Sequence, residues 1–198
     1  MTGNAEELEL KERLNLIESM IAEGRSSTQR WAWSFLLWGI AYYVAIAWST
    51  WGKTGMAWPV TMIAAAIVTS VFASRITRGQ PGTTVGRVMS AIWSVMGTVL
   101  FVVLMALGFS GRADLHLIVA IVGAMLATAN GVSSIVLRWR MQFACAVIWL
   151  ALAVGACFTT DMQTGMLSLA AIFFCLIVFG IYGIVLESRR QSRSANHA

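Results

Sequence analysis

From residue 31 onward, long apolar runs alternate with short polar breaks. Six such runs stand out, near Trp31–Trp51, Met56–Ser74, Val88–Phe109, Leu115–Leu137, Met141–Phe158 and Gly165–Leu186. A helix of about 20 residues crosses the hydrocarbon of a bilayer. The pattern therefore predicts an all-α, polytopic membrane protein with six transmembrane helices. The breaks are short except for RITRGQPGTTVGR, where glycines and Pro81 mark a longer loop. Short connections make successive helices antiparallel neighbours, which gives three hairpins.

The fourth run has two unlike faces when wound at helical spacing. His116, Ala120, Gly123, Ala127, Asn130, Gly131 and Ser134 fall on one side, and Ile118, Ile121, Met125, Val132 and Val136 on the other. Small residues let membrane helices approach closely, and amides or hydroxyls bond across the gap. Gly123, Ala127, Asn130, Gly131 and Ser134 are thus the predicted helix-packing residues. Ser90, Ser94 and Gly97 form a similar face on the third run and are the candidate partner of Asn130.

Ahead of the first run, residues 5–23 follow a different pattern. Leu10, Leu14, Ile17 and Ile21 make one apolar stripe on a short amphipathic helix. Asn4 is its candidate N-cap and Gly24 its candidate stop. Glu7 with Lys11 and Glu9 with Arg13 are spaced to pair along it. Six acids against two bases make it a poor ligand for anionic lipid. The stripe is therefore assigned to association with protein. The predicted organisation is a cytoplasmic acidic helix and linker at 1–30, a six-helix domain at 31–187 and a basic cytoplasmic tail at 188–198.

Charge changes the picture by setting orientation. With both termini inside, only Lys53 and Arg112 of the 14 basic residues fall outside, which is a strong positive-inside bias. Trp31, Trp33 and Trp139 then lie at the inner interface, and Trp48, Trp51 and Trp58 at the outer one. Composition agrees: 58% of residues are hydrophobic and 12% charged, against about 25% charged in soluble domains. The net charge of +5 sits at helix ends and forms no basic groove, so no nucleic-acid partner is expected. The first 25 residues are acidic and lack an apolar core, so no cleavable leader is expected.

Candidate chemistry is sparse. No Asp, Glu, Lys or Arg lies in the middle of a run, and such residues are the usual markers of a coupled carrier. His116 and His197 are the two histidines, too few for a zinc or di-iron site. No GxSxG-like turn accompanies them. No catalytic residue, metal or cofactor is expected. Cys145, Cys157 and Cys175 lie in apolar segments without CxxC spacing and read as small hydrophobes. Trp38, Trp93 and Trp149 recur at separations of 55 and 56 residues, as a threefold hairpin repeat would require. Two functions remain. In the first, a non-enzymatic membrane protein associates with itself or a partner through its helices. In the second, a small carrier or lipid-binding protein has a cavity lined by Asn130, His116, Trp38 and Tyr42.

The stretch LNLIESMIAEGR followed by WSFLLWG carries a resemblance. Leu16, Ile17, Met20, Ile21, Leu36, Leu37, Trp38 and Gly39 resemble the corresponding residues of a group of uncharacterised small bacterial inner-membrane proteins. In that group a short amphipathic helix precedes a Leu-Leu-Trp-Gly span. The resemblance implies a bacterial plasma-membrane location and brings no activity with it.

Overall fold

The computed structural model describes Glu7 and residues 9–19, 31–77 and 84–195. Asn4, Ile21, Gly24, Pro81 and His197 lie outside the described residues. Those described are helical or in short turns. The N-terminal helix, α1, covers residues 9–19. It is followed by α2 (Ala32–Gly52), α3 (Ala57–Thr77), α4 (Thr84–Phe109), α5 (Leu115–Leu137), α6 (Arg140–Gly155) and α7 (Asp161–Ile172). A π-helical segment, Phe173–Val178, joins α7 to α8 (Phe179–Ala195). Among the described residues, five helices are long and apolar enough to cross a membrane, counting Asp161–Arg189 as one. α6 is shorter, at 16 residues, or about 24 Å.

Local chemistry explains several boundaries. Asp114 caps α5, its carboxylate accepting from Leu117 N at 3.2 Å. Arg138 closes the same helix in the left-handed conformation (φ 48°). Lys53 does so after α2 (φ 47°). α7 begins four residues before the predicted Gly165, because Gln163 Oε1 accepts from Thr160 N at 3.1 Å and starts the helix early. At the other end, α8 runs past the predicted stop at Leu186 to Ala195. No Gly or Pro interrupts ESRRQSRSA, so nothing in that stretch breaks the helix.

The core lies where α2, α5, α6 and the α7–α8 rod meet. Phe35 packs edge-on against Phe179 (5.1 Å between ring centroids) and Trp93 (5.3 Å). Trp139 closes on Phe179 at 5.2 Å. Two contacts bring backbones together. At α5–α6, a Cβ on Gly123 would stand 3.0 Å from Trp149 O and from Ala153 Cβ. At α2–α8, a Cβ on Gly180 would stand 2.9 Å from Leu36 N, and one on Gly183 would overlap Ala32 Cβ. α3 packs on α2, and α4 on α5.

α4 departs from expectation. Ser90, Ser94 and Gly97 face outward, and a Cβ on Gly97 would meet nothing within 4 Å. They are not the partners of Asn130, whose Nδ2 donates to Leu126 O in its own helix at 2.8 Å. The three repeat tryptophans also sit differently. Trp149 is 2% exposed in the core, whereas Trp93 and Trp38 are half-buried.

Candidate functional site

The polar cluster with the most connections lies where α5 begins and the α6–α7 turn passes over it. The Asp114 cap places His116 in the first turn of α5. α6 ends at Gly155, and Ala156–Thr160 form the turn into α7. His116 Nδ1 lies 2.8 Å from Ala156 O, and Nε2 lies 2.7 Å from Asp161 Oδ1. Thr164 Oγ1 is 3.2 Å from Nδ1 and 2.7 Å from Thr159 Oγ1.

The direction of each hydrogen bond follows from what can donate. Gly155 O only accepts, so Thr159 donates to it at 2.9 Å. Thr164 then donates to Thr159, and its own oxygen faces His116 as an acceptor. Ala156 O also only accepts, so Nδ1 carries a proton. The imidazole is held from one side by a carbonyl and a hydroxyl, and from the other by a carboxylate.

This set contains the residue types of a nucleophile–base–acid relay, but not its geometry. A general base needs a lone pair directed at the nucleophile's proton. Nδ1 has none to offer Thr164, whose side chain is fully buried. The arrangement can hold a proton and bind three helix ends together. Asp161 is exposed over 83% of its side chain and His116 over 28%, so the cluster opens to the surroundings through the carboxylate.

Asp161, Thr159 and Thr164 were not singled out by sequence reasoning. One signal was available: counting spans puts His116 and Asp161 at the same end of the bundle, and Asp161 is the acid of that turn.

The other predicted residues lie elsewhere. Asn130 is about 21 Å along α5 from His116 at 1.5 Å per residue. Tyr42 packs against Trp38 (6.4 Å) and Trp58 of α3 (6.2 Å). Among the described residues, His116, Asn130 and the Trp38–Tyr42 pair make separate contacts. Of the packing residues, Gly123, Ala127, Asn130 and Ser134 are buried and Gly131 is half-buried. Gln142 and Ser133 are wholly buried, and among the described residues neither the amide nor the hydroxyl has a hydrogen-bond partner. Cys175 donates to Cys145 O at 3.8 Å in the core, while Cys157 is exposed. In α1, Leu10, Leu14 and Ile17 are all more than half exposed. Among the described residues, no group of three His, Cys, Asp or Glu is placed to hold a metal.

Neither a family model, nor a curated protein, nor a solved structure matches the chain.

Proposed function

We propose that this chain is a non-enzymatic, six-span protein of the bacterial plasma membrane that acts by helix-mediated association with itself or a protein partner. The carrying observation is α1. Leu10, Leu14, Leu16 and Ile17 are each between 52% and 59% exposed. They lie on a helix whose two bases already pair along it, Lys11 with Glu7 at 2.8 Å and Arg13 with Glu9 at 2.6 Å. An acidic helix that exposes a row of aliphatic side chains matches a protein groove better than an anionic lipid surface.

The six-span reading draws support from the clasp at His116. The end of α6 meets the first turn of α5, so α6 runs back along most of the length of α5. α6 and the turn after it thus cover the thickness that the 23-residue α5 covers. Both termini then lie on one side, and the positive-inside bias makes that side cytoplasmic. The non-enzymatic reading is supported by the lack of a lone pair on His116 for Thr164.

The test is the double variant Leu14→Asp/Ile17→Asp. It is expected to insert normally and to keep its bundle, because α1 precedes the first apolar run. It is expected to lose most of the cross-linked oligomer or partner recovered with the wild type in membranes. Unchanged cross-linking, with insertion confirmed, overturns the reading.

A further inference from the structure

We infer that Gln142 and Ser133 bind buried water, and that hydrogen bonds through this water join α5 to α6 beside the turn between them. Both side chains are wholly buried. Among the described residues, the Gln142 amide has no hydrogen-bond partner at its nitrogen or its oxygen, and the Ser133 hydroxyl has none either. The other buried polar residues described are satisfied. Asn130 donates to Leu126 O, Ser134 to Gly131 O, and Thr164 meets Thr159 and His116. A polar group taken out of water without a partner is costly, and in hydrocarbon more so.

Neither side chain takes the local bond open to its type. Gln142 is the third residue of α6, where a glutamine can reach back to the N-cap amide. Gln163 does so at the same position of α7, accepting from Thr160 N at 3.1 Å. In α6 that amide is already engaged, because Trp139 N donates to Ser134 O at 3.0 Å. Ser133 has carbonyls one turn back along α5, the kind of acceptor that serves Thr128 at 2.9 Å and Ser134 at 2.7 Å. It bonds to none of them.

The register of the hairpin brings the two residues to one level. Gly123 lies against Trp149 O and Ala153, and Gly131 against Ala146. Carried on antiparallel, these contacts set Ser133 level with the first turn of α6, and hence with Gln142. The helices also stand further apart towards this end. A Cβ on Gly123 would be 3.0 Å from Trp149 O, and one on Gly131 would be 3.8 Å from Ala146 Cβ. Water both donates and accepts, and when buried makes about three hydrogen bonds. It is small enough for a site closed to the surface, and it gives the amide and the hydroxyl the bonds that neither helix supplies.

The experiment uses the full-length protein in detergent micelles, with water as the probe. Glutamine is isotope-labelled at its side-chain nitrogen, and spectra are recorded at mildly acidic pH, where amide exchange with solvent is slow. The Gln142 side-chain signal, identified by its loss in Gln142→Met, is expected to show a dipolar NMR cross-peak from water. Ser133→Ala is expected to weaken that cross-peak by about half or more. Thermal unfolding gives a second reading. Gln142→Met keeps the volume and removes the amide, and Ser133→Ala removes the hydroxyl. Each is expected to lower the unfolding temperature by about 2 °C or more. In the Gln142→Met background, Ser133→Ala is expected to cost less than about half as much as it does alone. Groups without a water partner would give the opposite sign, since removing a buried unpaired group is stabilising. A rise in unfolding temperature in either single variant overturns the inference. So does a Gln142 signal without a water cross-peak, which is the result expected if amide and hydroxyl bond directly to each other.

Discussion

Replacing Gly183 with leucine is expected to lower the unfolding temperature in detergent by about 4 °C or more. α8 presents Gly180 and Gly183 to the first turn and a half of α2. A Cβ on Gly183 would overlap Ala32 Cβ, an atom with no rotamer through which to escape. A Cβ on Gly180 would meet Leu36 N at 2.9 Å and Ala32 O at 3.2 Å, both backbone. Neither contact can yield unless the two helices separate. Overpacking of this kind costs about 1–3 kcal/mol and sometimes more. Gly180→Leu is expected to behave like Gly183→Leu, and alanine at either site to give a smaller loss of the same sign. Gly165 lies in the same rod, and a Cβ there would meet nothing within 4 Å. Gly165→Leu is therefore expected to be nearly neutral. A loss at Gly165 equal to that at Gly183 would mean that α8 does not pack on α2 in this way.

The second large effect separates two glycines on one helix. A Cβ on Gly123 would lie 3.0 Å from Trp149 O and 3.1 Å from Ala153 N, whereas one on Gly131 would touch Ala146 Cβ at an ordinary 3.8 Å. The α5–α6 pair is therefore closest near the end where α5 begins. Gly123→Leu is expected to cost about 2–3 kcal/mol, and Gly131→Ala to be almost silent. Val132→Leu, on an exposed side of the same helix, provides the lipid-facing control. Thermal unfolding of the variants beside the wild type reads the difference. Equal losses at Gly123 and Gly131 would require the two helices to run parallel at constant separation.

Much of this architecture is visible in residue order. α5 begins and ends where hydropathy puts it, because Asp114 and Arg138 stand at its ends and both contribute to its caps. The small face of α5 was legible for the same reason that Gly123 is tight: small residues at helical spacing have few other uses in a membrane helix. The same rule failed on α4, and the reason is general. A hydroxyl in hydrocarbon needs a hydrogen bond but not a neighbouring helix. Thr98 donates to Ser94 O at 2.8 Å, and Thr128 to Ala124 O at 2.9 Å. Each is satisfied one turn back along its own backbone. Asn130 does the same with Leu126 O. Polar residues in these helices therefore do not by themselves point inward. The glycines of α8 escaped notice for the converse reason. In FGIYG they are three residues apart inside an unbroken apolar run, and no polar residue marks the face they share. The His116 clasp joins residues 40 to 48 positions apart. Its partners become visible only once the α6–α7 turn is folded over α5.

The wide turn at Phe173–Val178 sets the rotational phase of everything after it. A π-turn accommodates one residue more than an α-turn, and one residue corresponds to about 100° of rotation about the helix axis. Buried positions along the rod recur by fours, at Ala171, Cys175, Phe179 and Gly183. In an unbroken α-helix such a series would drift by about 40° at each step. The widened turn takes up part of that drift, so Gly183 still meets Ala32. Removing one residue from this segment would let it relax to ordinary α-helix without shortening the apolar stretch appreciably. Because the residue removed is the one that the wide turn absorbs, the glycine pair would keep its phase against α2. A deletion elsewhere in the rod, where no wide turn absorbs it, would rotate the pair away by about a quarter of a turn. The wide turn is thus the place where this rod can change length without losing the face on which α2 rests.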